Sequence, residues 1–182
     1  GEACVRASAP LLHGATALAV FWLARVLGQG RAIAALCGLA YLSLPAVGLA
    51  SFVLTTDTPL LLFWTLGMVC LWRWRDDGGA LWAIATGLCI GLGLLSKYAM
   101  LYFVLGLVLH LLFDTRLRRA IITPAGCIAA LVALGLLLPH ILWNAGQGWP
   151  TLLHTADNAN WQADLGGPLS SLGFLGGQAL IL

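Results

Sequence analysis

Residues 54–64 read LTTDTPLLLFW and place a single acid, Asp57, between two long apolar runs. A charge facing lipid at mid-bilayer costs about 2.5–3.5 kcal/mol, so an acid in such surroundings needs an explanation. Its neighbours Thr56, Thr58 and Pro59 suit the start of a helix, because hydroxyl groups cap free N–H groups and proline fits the first helical position. Two interpretations stay open: Asp57 only caps a helix, or it caps the helix and also belongs to a site.

The composition around this stretch is that of an integral membrane protein. Of the 182 residues, 60% are hydrophobic and 9% are charged, whereas soluble domains are roughly one quarter charged. The net charge of +2 is too small to indicate nucleic-acid binding. The five cysteines are scattered without CxxC or Cys/His spacing, so the sequence indicates neither a zinc site nor a disulfide framework.

The apolar runs predict an all-α, polytopic transmembrane helix bundle, because a helix needs about 20 apolar residues to cross a bilayer. Strands are not expected, since the runs are continuous rather than alternating. About six complete spans are predicted, with the start of a seventh near Leu169: 5–24, 32–54, 59–74, 80–96, 98–113 and 120–143. The chain begins without Met and ends in an apolar run, so we interpret residues 1–182 as part of a longer transmembrane domain.

The basic residues predict the orientation of the bundle. Seven of the nine fall in alternate connections, which share one side of the membrane: Arg25, Arg31, Arg73, Arg75, Arg116, Arg118 and Arg119. The positive-inside rule makes that side cytoplasmic. Asp57, Lys97 and the segment 144–168 then collect at the outer face.

The segment 144–168 is predicted to be an outer-face loop that contains a short interfacial helix. Trp149, Leu152, Leu153 and Trp161 fit one face of such a helix, and tryptophan favours the headgroup level of a membrane. A plain loop that rests on the membrane is the alternative.

Other polar residues within or beside the apolar runs have competing interpretations. Lys97 either snorkels to the interface or contributes to an anion site that suits a phosphate. Arg6 is a lipid anchor or part of the same anion site, and His154 is the histidine with the better claim to a function. His13 and His110 are expected to form hydrogen bonds between helices. No spacing indicates a metal site, and a divalent metal stays open as a cofactor.

Small residues on the fourth predicted helix indicate close helix packing. Gly87 and Gly91 have the small-xxx-small spacing that lets two helices approach, and Gly93 extends this face. The sequence GLGLLSK at 91–97 is not a phosphate loop, because its spacing is wrong and it lies within an apolar run.

Four blocks carry a resemblance to a known family: TTDTPLLLFWTLGMVCLWR (55–73), GLCIGLGLLSKYAMLYFVLGLVLHLL (87–112), LPHILWNAGQGWPTLLH (138–154) and FLGGQALIL (174–182). In this order they resemble bacterial membrane glycosyltransferases similar to the dolichyl-phosphate-mannose protein mannosyltransferases. That set has the GT-C architecture and includes galacturonosyltransferase-like and aminoarabinose-transferase-like enzymes. The resemblance covers nearly the whole chain.

The resemblance implies a glycosyltransferase that inverts the anomeric centre. The donor would be a sugar linked to polyprenyl or dolichyl phosphate, and the acceptor a protein, lipid A or another glycan or lipid. Asp57 matches the acid of the family's xxDxP block in a supporting catalytic role, and Lys97 matches a basic residue that would contact the donor phosphate. Arg6, Trp149 and His154 are further substrate-binding candidates. The expected partners are the donor and membrane lipids, with no nucleic acid.

The resemblance also implies where the protein is located and that this chain is only part of the family's transmembrane domain. The protein would lie in the bacterial cytoplasmic (inner) membrane with its site facing the periplasm. The family's main catalytic acid lies in an outer loop before the first helix seen here, so we expect this chain alone to be inactive. It would lack the first helix, that outer loop and the C-terminal helices.

A transporter or flippase for a lipid-linked or small polar substrate is the alternative function. In that case Asp57 and Lys97 would be a substrate pair within a membrane cavity. The charges cluster at one face rather than at mid-bilayer, and no internal repeat is evident, which favours the enzyme.

Overall fold

The computed structural model describes residues 2–52 and 55–158, with side chains from residue 7 to residue 157. Within these ranges every regular element is a helix, as the sequence predicts. The helices are α1 (Glu2–Val26), α2 (Arg31–Ser43), α3 (Pro45–Ala50), α4 (Asp57–Asp77), α5 (Ala80–Ser96), α6 (Met100–Phe113), α7 (Thr115–Ile121), α8 (Pro124–Gly146) and α9 (Pro150–Asn158).

In the described part of the chain, two helical stretches are long and apolar enough to cross a membrane. They are Ala7–Val26 within α1 and the whole of α8, and the pair α6 and α7, which is bent by 118°, is a third if it counts as one span. The predicted count of six complete spans is therefore not confirmed. The predicted seventh span, near Leu169, lies outside the described residues.

One predicted span, 32–54, is interrupted, and another, 98–113, ends at a break in the helix, each for an identifiable reason. The run 32–54 breaks between α2 and α3, where Leu44 is extended with φ −64° and ψ 126°. Leu44 precedes Pro45, and a residue before proline disfavours the helical region because of the proline ring. After α6 the chain breaks at Asp114, whose carboxylate accepts the backbone N–H groups of Arg116 and Leu117 at 2.9 Å each. Asp114 therefore caps a new helix, α7, instead of extending α6.

The helix α4 packs against both α1 and α5. Gly78 and Gly79 join α4 to α5, with φ values of +70° and +91° that glycine adopts readily. So short a connection makes an antiparallel hairpin, which brings the start of α4 and the end of α5 to one place. Between α1 and α2, His13 Nδ1 lies 2.8 Å from Tyr41 Oη, which confirms the predicted interhelical hydrogen bond of His13.

His110 behaves differently from the prediction. Its ring stacks on Trp72 of α4 at 6.5 Å between centroids, and its Nε2 lies 3.5 Å from Asp114 Oδ2, one turn along the same chain. The contact between helices is therefore ring stacking, and the polar contact is local.

The glycines on α5 allow close approach of other helices, as predicted. A Cβ atom at Gly87 would overlap the backbone carbonyl of Ala129 in α8, and one at Gly91 would lie 3.2 Å from Ala133 Cα. At Gly93 a Cβ atom would lie 2.9 Å from the sulfur of Met100. Each position thus contacts a neighbour that a larger residue would displace.

Residues 142–158 belong to a second compact unit of the chain. Asn144 is buried in it and organises the turn into α9: its carbonyl accepts the N–H of Trp149 at 2.8 Å, and its Oδ1 accepts the N–H of Thr151 at 3.2 Å. Trp149 has φ +63°, a conformation that residues other than glycine rarely adopt. The helix α9 falls within the segment 144–168, and its interfacial location stays a prediction.

Candidate functional site

The structure brings together the acid and the lysine that the sequence singled out. Asp57 is the first residue of α4, and Lys97 directly follows the last residue of α5. Lys97 Nζ lies 2.6 Å from Asp57 Oδ1, although 40 residues separate the two in the chain. The α4–α5 hairpin accounts for this contact, because it places the N-terminus of one helix beside the C-terminus of the other.

Each charge of the pair lies at the helix end that favours it. The N-terminus of a helix carries a partial positive charge and the C-terminus a partial negative charge, which suits Asp57 and Lys97 respectively. The side chains are 54% and 44% exposed. Exposed ion pairs contribute only about 0–1 kcal/mol to stability. Folding therefore gains little from the pair, and both groups remain open to a ligand.

The capping of α4 by side chains in this stretch, which both interpretations of Asp57 include, is not confirmed. Thr56 occupies the N-cap position in a helical conformation, φ −65° and ψ −16°, and no side chain there makes a capping hydrogen bond. A capping residue is usually extended, which lets its oxygen turn back to the helix. Thr58 is fully buried, and its hydroxyl group makes no hydrogen bond to the described residues. The helix also begins before Pro59, which is its third residue and not its first.

A packed apolar base supports the Asp57–Lys97 pair. Leu60 follows Asp57 by about one turn on α4, Leu94 precedes Lys97 by about one turn on α5, and both are buried against Met100 and Phe103 of α6. The edge-to-face contact of Trp64 with Phe103, 5.4 Å between centroids, extends this cluster. Because packed side chains have little freedom, the base holds the backbone of both charged residues in place.

Tyr98 and His140 form a second polar contact beside the pair, which sequence reasoning did not find. Tyr98 Oη lies 3.0 Å from His140 Nε2, so the turn that carries Lys97 is tied to α8 as well as to α4. Two local features are visible in the sequence: Tyr98 directly follows Lys97, and His140 follows a proline in an apolar helix. No sequence pattern joins residues that are 42 apart.

We expect Tyr98→Phe to destabilise the protein by about 0.5–1.5 kcal/mol, the usual net contribution of one hydrogen bond. Tyr102→Phe is the matched control, because Tyr102 lies on α6 and is 72% exposed. The measurement is thermal unfolding of both variants in the same detergent. Equal stability of the two variants would show that the contact with His140 contributes nothing.

For the other predicted site residues, Arg6, Trp149 and His154, a place beside this pair stays a prediction. The side chain of Arg6 lies outside the described part. Trp149 and His154 belong to the second unit, where Trp149 is 45% exposed and His154 lies exposed on α9. Among the described residues there is no group of three or more His, Cys, Asp or Glu side chains that could hold a metal ion.

Apolar helices and an accessible acid–lysine pair at one end of a helix hairpin define the class: an integral membrane protein with a polar site at a helix end. Residues 1–143 match the family described as dolichyl-phosphate-mannose-protein mannosyltransferase. The chain belongs to this family, which confirms the resemblance drawn from the four sequence blocks. No solved structure matches the chain.

Two curated relatives come from Rhizobium johnstonii. The lipid A galacturonosyltransferase RgtD is 34% identical over 159 residues, which is 86% of this chain and 33% of RgtD. The lipopolysaccharide core galacturonosyltransferase RgtA is 33% identical over 120 residues, which is 65% of this chain and 24% of RgtA. The chain thus spans about a third or less of the relatives that it matches.

Proposed function

We propose that this chain is part of a membrane glycosyltransferase that takes a sugar from a polyprenyl-phosphate or dolichyl-phosphate donor. The observation that carries the proposal is the 2.6 Å contact between Lys97 and Asp57 at an exposed helix end. A cation suits the donor phosphate, and a carboxylate beside it holds the cation in place, so the pair fits a phosphate-linked glycosyl donor. Membership of the mannosyltransferase family supports the same reaction.

The proposed transfer forms one bond and breaks one bond at the anomeric carbon. A hydroxyl oxygen of the acceptor bonds to that carbon as the bond to the phosphate oxygen breaks, and the electron pair leaves with the lipid phosphate. Lys97 stabilises the negative charge that develops on the phosphate. Asp57 has a supporting role, because it holds Lys97 at the helix end while a carboxylate elsewhere in the full-length protein takes the hydroxyl proton.

The names of the relatives support galacturonic acid as the sugar and lipopolysaccharide as the acceptor. Arg6, Trp149 and His154 are proposed to contact the donor or the acceptor, since Arg6 lies at the start of the first apolar run and the other two belong to the segment 144–168. We place the site at the periplasmic face of the inner membrane, because Asp57 and Lys97 lie at the opposite end of the α4–α5 hairpin from Arg73 and Arg75. Family membership does not favour the transporter alternative.

The direct test is transfer by the full-length protein in nanodiscs. The donor is polyprenyl-phosphate-linked galacturonic acid, the acceptor is lipid A, and the product is detected by mass spectrometry as acceptor that carries one added uronic acid. We expect product with the full-length protein and none with the 182-residue chain. Accumulation of intact donor inside sealed proteoliposomes, without any glycosylated acceptor, would instead support the transporter.

A further inference from the structure

A second feature lies at the end of α4 away from Asp57, roughly 27 Å along the axis at 1.5 Å per residue. Here α6 turns by 118° into the short helix α7. We call residues 112–122 the basic elbow, because they hold Arg116, Arg118 and Arg119 between apolar residues at both ends. The elbow takes no part in the proposed transfer reaction.

The elbow is held in place from two sides. Asp114 caps α7 with one carboxylate oxygen, and its other oxygen accepts the Nε–H of Arg75 from α4 at 2.6 Å. Leu117 is only 1% exposed and anchors the inner side of α7. Arg75 also lies over the ring of Trp72 in the same helix, 4.9 Å from its centroid, and this contact helps to hold its guanidinium group toward Asp114.

The acids near the elbow are already matched by arginines. Asp76 lies 2.7 Å from Arg75 and 3.4 Å from Arg116, and Asp77 lies 3.3 Å from Arg73. In contrast, Arg118 and Arg119 are exposed and form no ion pair with any described residue. The outer side of α7 therefore presents two guanidinium groups without an acidic partner in this part of the chain.

The large apolar side chains that flank these two arginines are largely uncovered by the part of the chain that the structure describes. Leu112, Phe113 and Ile122 are 67%, 84% and 73% exposed. A short helix that lies across its neighbour, with exposed apolar residues at its ends and arginines on its outer side, has the character of an interfacial helix. Water disfavours such apolar residues, whereas the headgroup–acyl boundary of a bilayer accommodates both kinds of side chain.

We propose that the basic elbow binds the headgroup of an anionic phospholipid. Arg118 and Arg119 would each donate hydrogen bonds to phosphate oxygens, which the planar guanidinium can engage in pairs. Phe113 and Ile122 would lie among the first methylenes of the acyl chains. Charge complementarity selects an anionic lipid over a zwitterionic one, because two unpaired arginines meet a net negative headgroup.

The test titrates phosphatidylglycerol onto the full-length protein in detergent and counts bound lipid by native mass spectrometry. The variant is Arg118→Gln/Arg119→Gln. We expect a roughly 30-fold loss of affinity, because each basic residue near an anionic surface contributes about a fivefold factor. The matched control is Arg25→Gln/Arg31→Gln, which removes two arginines from the connection between α1 and α2 and is expected to change the affinity by less than about threefold.

A second variant separates a lipid site from a simple anion site. Phe113→Ser leaves every arginine in place, and we expect it to weaken the binding of phosphatidylglycerol. Inorganic phosphate should compete only weakly with the lipid, to the same extent in this variant as in the unchanged protein. The proposal is overturned by an unchanged affinity in both elbow variants, by an equal loss in the Arg25/Arg31 control, or by inorganic phosphate that displaces the lipid at equal concentration. Phe113→Ser also decides the question if the double arginine variant does not fold.

Discussion

Lys97→Met is expected to lower kcat/KM for the polyprenyl-phosphate sugar donor by about 10²–10³-fold in the full-length protein, the usual effect of removing one preorganised group that stabilises developing charge. Methionine keeps the length of the side chain and its apolar packing but removes the ammonium group that lies 2.6 Å from Asp57. Because the pair is exposed and contributes little to folding, the loss should appear in the kinetics and not in stability. The measurement is the initial rate of transfer as a function of donor concentration, together with thermal unfolding.

Two comparisons make this result specific. Arg31→Met removes an exposed cation from the start of α2 and is expected to leave transfer unchanged.

Asp57→Asn keeps Lys97 but removes its carboxylate partner, and a smaller loss of rate is expected if Asp57 acts through Lys97. The Asp57→Asn/Lys97→Met double variant should then be no worse than Lys97→Met alone. Normal donor kinetics of Lys97→Met in a stable protein would exclude Lys97 from the site.

Gly87→Ala is expected to destabilise the protein by about 1–3 kcal/mol, the usual cost of overpacking. The added methyl group would overlap the backbone carbonyl of Ala129, and backbone atoms cannot turn aside as the end of a flexible side chain can. The helices α5 and α8 would have to move apart, although alanine favours a helix more than glycine does. Unfolding in detergent measures the difference.

Gly135→Ala is the matched control for that experiment. Gly135 lies on α8, and a Cβ atom there would have no neighbour within 4 Å. The same substitution should therefore be neutral or stabilising by up to about 1 kcal/mol, from helix propensity alone. If both variants were equally stable, close packing at Gly87 would not contribute to the fold.

The sequence predicted the helical class and singled out the two charged residues of the candidate site, because both depend on local composition. Apolar runs indicate helices, and a short Gly-Gly connection between two such runs indicates a hairpin, which brings Asp57 and Lys97 to one end. The break at Pro45 could also have been predicted, since proline disfavours a helical residue before it. The break was not predicted because the residues on both sides of Pro45 are apolar and fit one continuous span.

The contacts that sequence reasoning missed are those that depend on helix rotation. Arg75 and Asp114 are 39 residues apart, and Tyr98 and His140 are 42 apart, so only the packing of α4, α6 and α8 determines that they meet. Apolar helices in a membrane show little amphipathic pattern, because lipid and protein interior are similarly apolar. The sequence therefore does not indicate which face of each helix meets a neighbour.

The Asp57–Lys97 pair also bears on how the protein enters the membrane. Moving one elementary charge across the membrane changes its electrical energy by about 2.3 kcal/mol for each 100 mV of membrane potential. The hairpin end that carries the pair holds one negative and one positive side chain, so its translocation moves no net charge. The opposite end carries Arg73 and Arg75, and basic residues disfavour crossing even where acids such as Asp76 and Asp77 lie beside them. The free energy of moving the Asp57–Lys97 end of the hairpin across the membrane therefore does not depend on the membrane potential, while the arginines at the other end set the direction of insertion.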